Sequence, residues 1–321
     1  MPAGERCVTV SGRPDTEDVP PDRATPAWRA WLQAARLPSQ MYIFWPLLLG
    51  QALAMSGGIS WEIVAACHFY GLASQLYIVF ANDVADMATD RRNFTFTPFS
   101  GGSRVLVEGL LSRRQLARAA VLCAALSTLA GVFLGLRHGA WLPLPLILFG
   151  LALLWAYSYP PLRLSYRGGG EYLQMVGVGL VLPMIGFSAH TGTLAGLPWA
   201  LMPLMLFLSL SCAMATALPD EPSDRADGKR THAVKFGVLV TQRSILRLNA
   251  LALAWLVFVP LPGVMLFARA ALALPCLVLC LVSLVLVGAK PGERGMLVFV
   301  TAQVAFSLTP MIGLAIMFLT S

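Results

Sequence analysis

From Trp61 to Ala81 the chain runs for 21 residues with Glu62 as its single charge. Wound as a helix, that stretch measures about 31 Å, the thickness of a bilayer's hydrocarbon core. Runs of this kind recur along the sequence, at 40–56, 61–82, 116–136, 141–159, 171–189, 198–218, 246–266, 270–288 and 296–318. Repetition on this scale leaves few folds open. Backbone polar groups in lipid must be satisfied internally, so each run is expected to be a helix. The expected fold class is all-α: a polytopic membrane protein with nine transmembrane helices around a central cavity. Apolar residues make up 57% of the chain and charged residues only 12%, about half the usual share for a soluble domain. Pro46, Pro183, Pro203, Pro260 and Pro310 fall inside the runs and predict kinks around that cavity.

Two domains are expected: residues 1–27 as a disordered cytoplasmic tail, and 28–321 as the membrane domain. The tail is polar, holds Pro14, Pro20, Pro21 and Pro26, and has no apolar stretch able to form a core. Trp28 to Arg36 reads as an amphipathic segment at the interface. Six scattered cysteines offer neither a disulfide framework nor zinc spacing; five sit in apolar runs, and of these Cys276 and Cys280, which share a helix face, read as buried thiols.

The net charge of +7 raises the question of nucleic acid, and the placement of the charges answers it. With nine spans, 21 of the 23 Lys and Arg fall on one side, leaving only Arg137 and Arg269 on the other. That asymmetry predicts the N-terminus inside and the C-terminus outside. The basic charge therefore serves insertion, and no nucleic-acid partner is expected.

The remaining information lies in the acids. Asp83, Asp86 and Asp90 are spaced i, i+3 and i+7 at the end of the second run, so they share one helix face. A second set, Asp220, Asp224 and Asp227, follows the sixth run. Both runs point inward in this topology, so both sets open on the cytoplasmic side. Carboxylates packed this closely repel unless a cation sits among them, and hard oxygens at a helix end suit Mg²⁺ shared with a phosphate. All six aspartates are candidate metal ligands. Span, acid cluster, basic loop and span recur in the same order, in the manner of a weak internal duplication.

A diphosphate leaving group needs its growing charge neutralised as its C–O bond breaks. Candidates to contact it are Asn82, Arg91, Arg104, Lys229, Arg230 and Arg163. Arg104 and Lys229 stand out because each adjoins Gly or Ser in a short motif. Tyr157, at the inner end of the fourth run, is a candidate to shield a carbocation with its ring. The catalytic candidates are thus Asp83, Asp86, Asp90, Asp220, Asp224 and Tyr157.

Asn82-Asp83-x-x-Asp86-x-x-x-Asp90 resembles the first aspartate-rich motif of the UbiA superfamily of membrane prenyltransferases. Asp220-x-x-x-Asp224-x-x-x-Gly228-Lys229-Arg230-Thr231 resembles the second. The resemblance covers roughly residues 35–318. It implies Mg²⁺-dependent transfer of an isoprenyl chain from its diphosphate to an aromatic acceptor, inside a bacterial cytoplasmic membrane. Gly101-Gly102-Ser103-Arg104 with the following Val105 to Ser112, and Val234-Lys235-Phe236-Gly237, are most similar to the MenA branch, which prenylates 1,4-dihydroxy-2-naphthoate. Two stretches depart from that branch: Thr216-Ala217-Leu218-Pro219 replaces its Asn- and Arg-containing lead into the second motif, and Tyr157-Ser158-Tyr159-Pro160-Pro161-Leu162-Arg163 is more similar to chlorophyll-synthase-like and tocopherol-type enzymes.

Three other readings compete. A membrane terpene cyclase of the same superfamily would ionise the donor without an acceptor. A transporter predicts charges at mid-membrane, whereas these acids stand at span ends. A CDP-alcohol phosphotransferase needs Gly directly after the second Asp, where this chain has Met87.

Overall fold

The computed structural model describes residues 26–54, 58, 60–260 and 263–320. The tail expected over 1–27 lies outside the described residues except for its last two. An amphipathic helix, α1 (Ala27–Ala35), buries Ala30 and Ala34 and leaves Trp28 and Leu32 exposed. Arg36 ends it in a left-handed turn, φ 44°, and a short 3₁₀ turn leads into α2 (Met41–Ala52). Next come α3 (Trp61–Arg92), α4 (Arg113–His138) and α5 (Pro143–Ser158). The short α6 (Leu164–Arg167) precedes α7 (Gly170–Val176), which continues through a π-helical segment, Gly177–Val181, into α8 (Leu182–Thr191). The second half holds α9 (Met202–Ala217), the short α10 (Glu221–Ala226) and α11 (His232–Phe236), then α12 (Val238–Phe258), α13 (Leu266–Val285) and α14 (Arg294–Thr320).

Among the described residues, six helical stretches are long and apolar enough to cross a membrane: α3, α4, Gly170–Thr191, Trp199–Ala217, α13 and α14. The chain is a polytopic integral membrane protein. The other three apolar runs also became helices, but α2 has 12 residues, α5 has 16, and α12 carries the polar residues Thr241 to Ser244 near its start. The run expected over 246–266 is displaced: its helix starts at Val238 and stops at Phe258. Gly237, at φ 86°, and Thr231 to Phe236 set an earlier start, and Pro260 ends it because proline cannot donate to the helix ladder.

The helices close a ring. α3 packs on α4, α4 on α5, α2 on α8, α9 on α12, and α13 on both α12 and α14. Contacts of α14 with α2 and of α7 with α9 join the halves. The α2–α8 seam depends on missing side chains. A Cβ on Gly50 would stand 2.1 Å from the carbonyl oxygen of Pro183, and one on Gly186 would stand 2.3 Å from that of Leu47. In lipid, such close backbone approach supplies dispersion energy that hydrophobic exclusion cannot.

At 1.5 Å per residue, the 32 residues of α3 extend about 48 Å, well past the hydrocarbon core. Its last turns carry Asp83, Asp86 and Asp90, and all three are buried by the loops at that end of the ring.

Candidate active site

The first acid cluster is organised by the loop after α3. Gly101 and Gly102 take left-handed backbone, φ 76° and 68°, and so does Arg104, φ 65°. A Cβ on Gly102 would lie 2.3 Å from Asp90 Oδ2 and 3.1 Å from Asp83 Oδ1, so only glycine lets the loop lie over these carboxylates. Ser103 donates to Asp83 from its backbone N–H at 3.2 Å and from its hydroxyl.

The second cluster meets the first through the same loop. Asp220 accepts from Asn93 Nδ2 at 2.7 Å and from the Gly101 N–H at 3.0 Å. Lys229 Nζ lies 2.9 Å from Asp86 Oδ2 and 3.4 Å from Asp224 Oδ1. A buried ammonium thus bridges aspartates 138 positions apart in the sequence. Burial pulls Lys229 toward its neutral form, but Asp86 and Asp224 outweigh it and hold the ammonium well above the usual lysine range. Burial pushes Asp224 up to about 7, against the pull of Lys229. Asp220 is raised by burial and restrained by its hydrogen bonds with Asn93, Ser100 and Gly101.

These groups surround a polar cavity of about 140 Å³. Its charged lining is Asp86, Asp90, Glu171, Asp220 and Asp224 against Arg36 and Lys229, so three negative charges lack a fixed counter-cation when all are ionised. Among the described residues no three acids, histidines or cysteines converge on a single point. The donor set nonetheless fits a hard divalent ion: carboxylate oxygens in excess, beside space for the water that Mg²⁺ retains.

A second, mainly apolar cavity of about 240 Å³ adjoins the first. Asn82, Phe99, Tyr157, Gln174, Ala213 and Thr216 line both, and Arg36 stands at the same junction. Beyond the junction the wall is Ile78, Leu151, Leu154, Val178, Val181 and Leu182. Gly170 lets α7 pack close to Tyr157, since a Cβ there would lie 2.8 Å from its ring.

Not every candidate from the sequence reaches the cavities. Asp83 lies beneath Gly102, bonded to Ser103. Asp227 pairs with Arg92 away from the polar cavity. Arg104 donates to the backbone oxygens of Asp90 and Asn93 and covers the Phe96 ring, bracing the end of α3. Arg163 stacks on Tyr166, 3.6 Å from the ring centre. Arg91 and Arg230 are exposed and outside both linings. The sequence reading missed Arg36, Asn93 and Glu171. Arg36 carries a usable signal, a cation at the inner end of the first apolar run, beyond its part in the interfacial segment and in the charge asymmetry.

A helical ring in lipid, with an acid-rich cavity opening onto an apolar one, defines a membrane enzyme that handles an amphiphile with a charged head. The profile of the UbiA prenyltransferase family matches residues 43–318, and the chain belongs to that family. It is similar to the 2-carboxy-1,4-naphthoquinone phytyltransferase of Synechocystis sp., 28% identical over 236 residues that cover 69% of this chain and 71% of the relative. Its fold is similar to that of a UbiA homolog from Archaeoglobus fulgidus bound to GPP and Mg²⁺, with a TM-score of 0.67 at 16% identity, covering 91% of this chain and 100% of that one. The apo UbiA homolog from Aeropyrum pernix aligns with a TM-score of 0.62 at 15% identity, over 86% and 98% of the two chains.

Proposed function

We propose that the protein transfers a prenyl group from its diphosphate to a bicyclic aromatic acceptor of the naphthoquinone type, with Mg²⁺ as cofactor. The meeting of both acid clusters at Lys229 carries this reading. Asp86, Asp90, Asp220 and Asp224 would hold the ion, with Asp83 fixing the Gly-Gly-Ser loop over them. Mg²⁺ there would neutralise the diphosphate as its bond to the prenyl carbon breaks. Lys229 and Arg36 add fixed positive charge at the head group, and Asn82 lies at the junction beside them.

The prenyl chain would lie in the apolar cavity. Tyr157 stands at the junction, where the reacting carbon would sit, and offers a ring to shield its developing charge. An electron-rich ring carbon then attacks, and loss of a proton or of carbon dioxide restores aromaticity. The name of the Synechocystis relative supports a naphthoquinone-type acceptor. The archaeal homolog bound to GPP and Mg²⁺ supports the donor and the ion.

The topology belongs to the same proposal. Nine membrane-crossing segments, with the N-terminus inside and the acid cavity at the cytoplasmic face of a bacterial inner membrane, account for the 21-to-2 division of basic residues.

The test is purified protein in detergent with radiolabelled prenyl diphosphates, Mg²⁺ and a panel of 1,4-dihydroxy-2-naphthoate, 4-hydroxybenzoate and homogentisate. Label should move to the naphthoate. A cyclic hydrocarbon or alcohol formed from the donor alone would establish the cyclase reading instead.

A further inference from the structure

The carboxylates lining the polar cavity are not equally engaged. Asp86 and Asp224 share Lys229, and Asp220 takes Asn93 and Gly101. Glu171 belongs to neither aspartate motif. It stands in the first turn of α7, 7% exposed, and lines the same cavity. One of its oxygens accepts the His232 N–H at 2.6 Å. Among the described residues the other has no hydrogen-bond partner, and no Lys, Arg or His of theirs lies within ion-pair distance of either.

A buried carboxylate without a cation is costly to keep charged, and a structural tether to one N–H needs only a neutral acceptor. A Gln would make that bond as well. A carboxyl group at this place, with one oxygen left over in the cavity lining, therefore requires a further explanation, and the cavity supplies one. Mg²⁺ keeps several of its waters, and carboxylates that accept from those waters tune its affinity.

We infer that Glu171 is a positioning residue for the metal–diphosphate site. One oxygen anchors the loop that carries Lys229 and Thr231, and the other accepts from the water shell of the bound ion. The inference rests on the proposed Mg²⁺–diphosphate reading and adds to it a carboxylate outside both motifs.

The test uses full-length protein in detergent, with Mn²⁺ binding followed by electron paramagnetic resonance in the presence of a non-hydrolysable prenyl diphosphate analogue. Glu171→Gln should weaken Mn²⁺ binding about 10-fold or more, the loss typical of an outer-shell partner. Its thermal midpoint should stay at the wild-type value, because the amide oxygen still accepts from His232. Glu171→Asp, which keeps the charge, should recover part of the affinity. Mn²⁺ binding by Glu171→Gln equal to wild type would overturn the inference, as would an affinity loss that only follows a fall in thermal midpoint. Wild type failing to bind Mn²⁺ at all would instead overturn the underlying metal–diphosphate reading.

Discussion

The two acid clusters, proposed above to serve one site, are built in opposite ways. Asp83, Asp86 and Asp90 ride on the regular end of a 32-residue helix, and helical periodicity alone puts them on one face. Asp220, Asp224 and Asp227 stand on a broken stretch, where Pro219 precedes a helix of only six residues and Pro222 stands in its first turn. There the backbone turns do the placing: the Asp224 N–H bonds the Asp220 carbonyl, and the Lys229 N–H bonds the Asp224 carbonyl. A rigid helix brings one half of the site, and a folded loop brings the other up to it. Metal and diphosphate would then have one fixed wall and one adjustable wall.

If the walls grip one ligand, losing either should be equally damaging. Asp86→Ala and Asp224→Ala are each expected to lower Mg²⁺-dependent diphosphate release by about 10³-fold, on the scale of removing a preorganised electrostatic group. The double variant should be scarcely worse than either single one, because groups that act as a unit are not additive. Single-turnover assays of the three proteins measure this directly. Additive losses would mean two independent sites.

Gly102 probes the helical wall from above. Alanine there would force left-handed backbone on a β-carbon, costing about 1–2 kcal/mol, and would push the Asp90 carboxylate aside. Gly102→Ala should lose about 10- to 100-fold in turnover, with a fall of a few degrees in thermal midpoint. A normal rate in a stable protein would show that the loop's closeness to Asp90 is incidental.

Asn93 probes the seam. Its amide reaches from the end of α3 to Asp220, and Thr95 Oγ1 beside it donates to the Pro219 carbonyl. A hydrogen bond to a carboxylate is worth about 1.5–3 kcal/mol, so Asn93→Ala should raise the half-saturating donor concentration roughly 10-fold or more. Asn93→Asp, which sets a second carboxylate against Asp220, should be worse than Ala in steady-state assays.

The same contrast explains what was legible in the sequence. The first cluster is a local pattern, so spacing alone placed it on one face. Apolar length located the helices, and the displaced start of α12 reflects the polar residues Thr241 to Ser244, which interrupt the apolar pattern one turn into the helix. The second cluster was legible as composition but not as geometry. Nothing in the spacing of Asp227 foretells that Arg92 draws it off the cavity, since that contact joins residues far apart in the chain. Glu171 was invisible for a related reason: a lone acid before an apolar helix is an ordinary interfacial residue until the fold seats it in a cavity.

Arg163 gives the smallest expected effect and the sharpest check on how much basic residues near the motifs matter. Its position after Tyr157-Ser158-Tyr159-Pro160-Pro161 makes it a natural candidate for the diphosphate. Its guanidinium lies instead on the face of Tyr166, whose hydroxyl meets Thr89 Oγ1 at 3.3 Å in the wall of the polar cavity. It therefore reaches the site only through one ring. A partly exposed cation–π contact is worth about 0.5–1 kcal/mol. Arg163→Ala should accordingly cost no more than about 5-fold in turnover and leave the half-saturating Mg²⁺ concentration unchanged. A loss matching that of Asp86→Ala would move Arg163 into direct contact with the diphosphate and make the wall around Lys229 only part of the cationic surface that receives the head group.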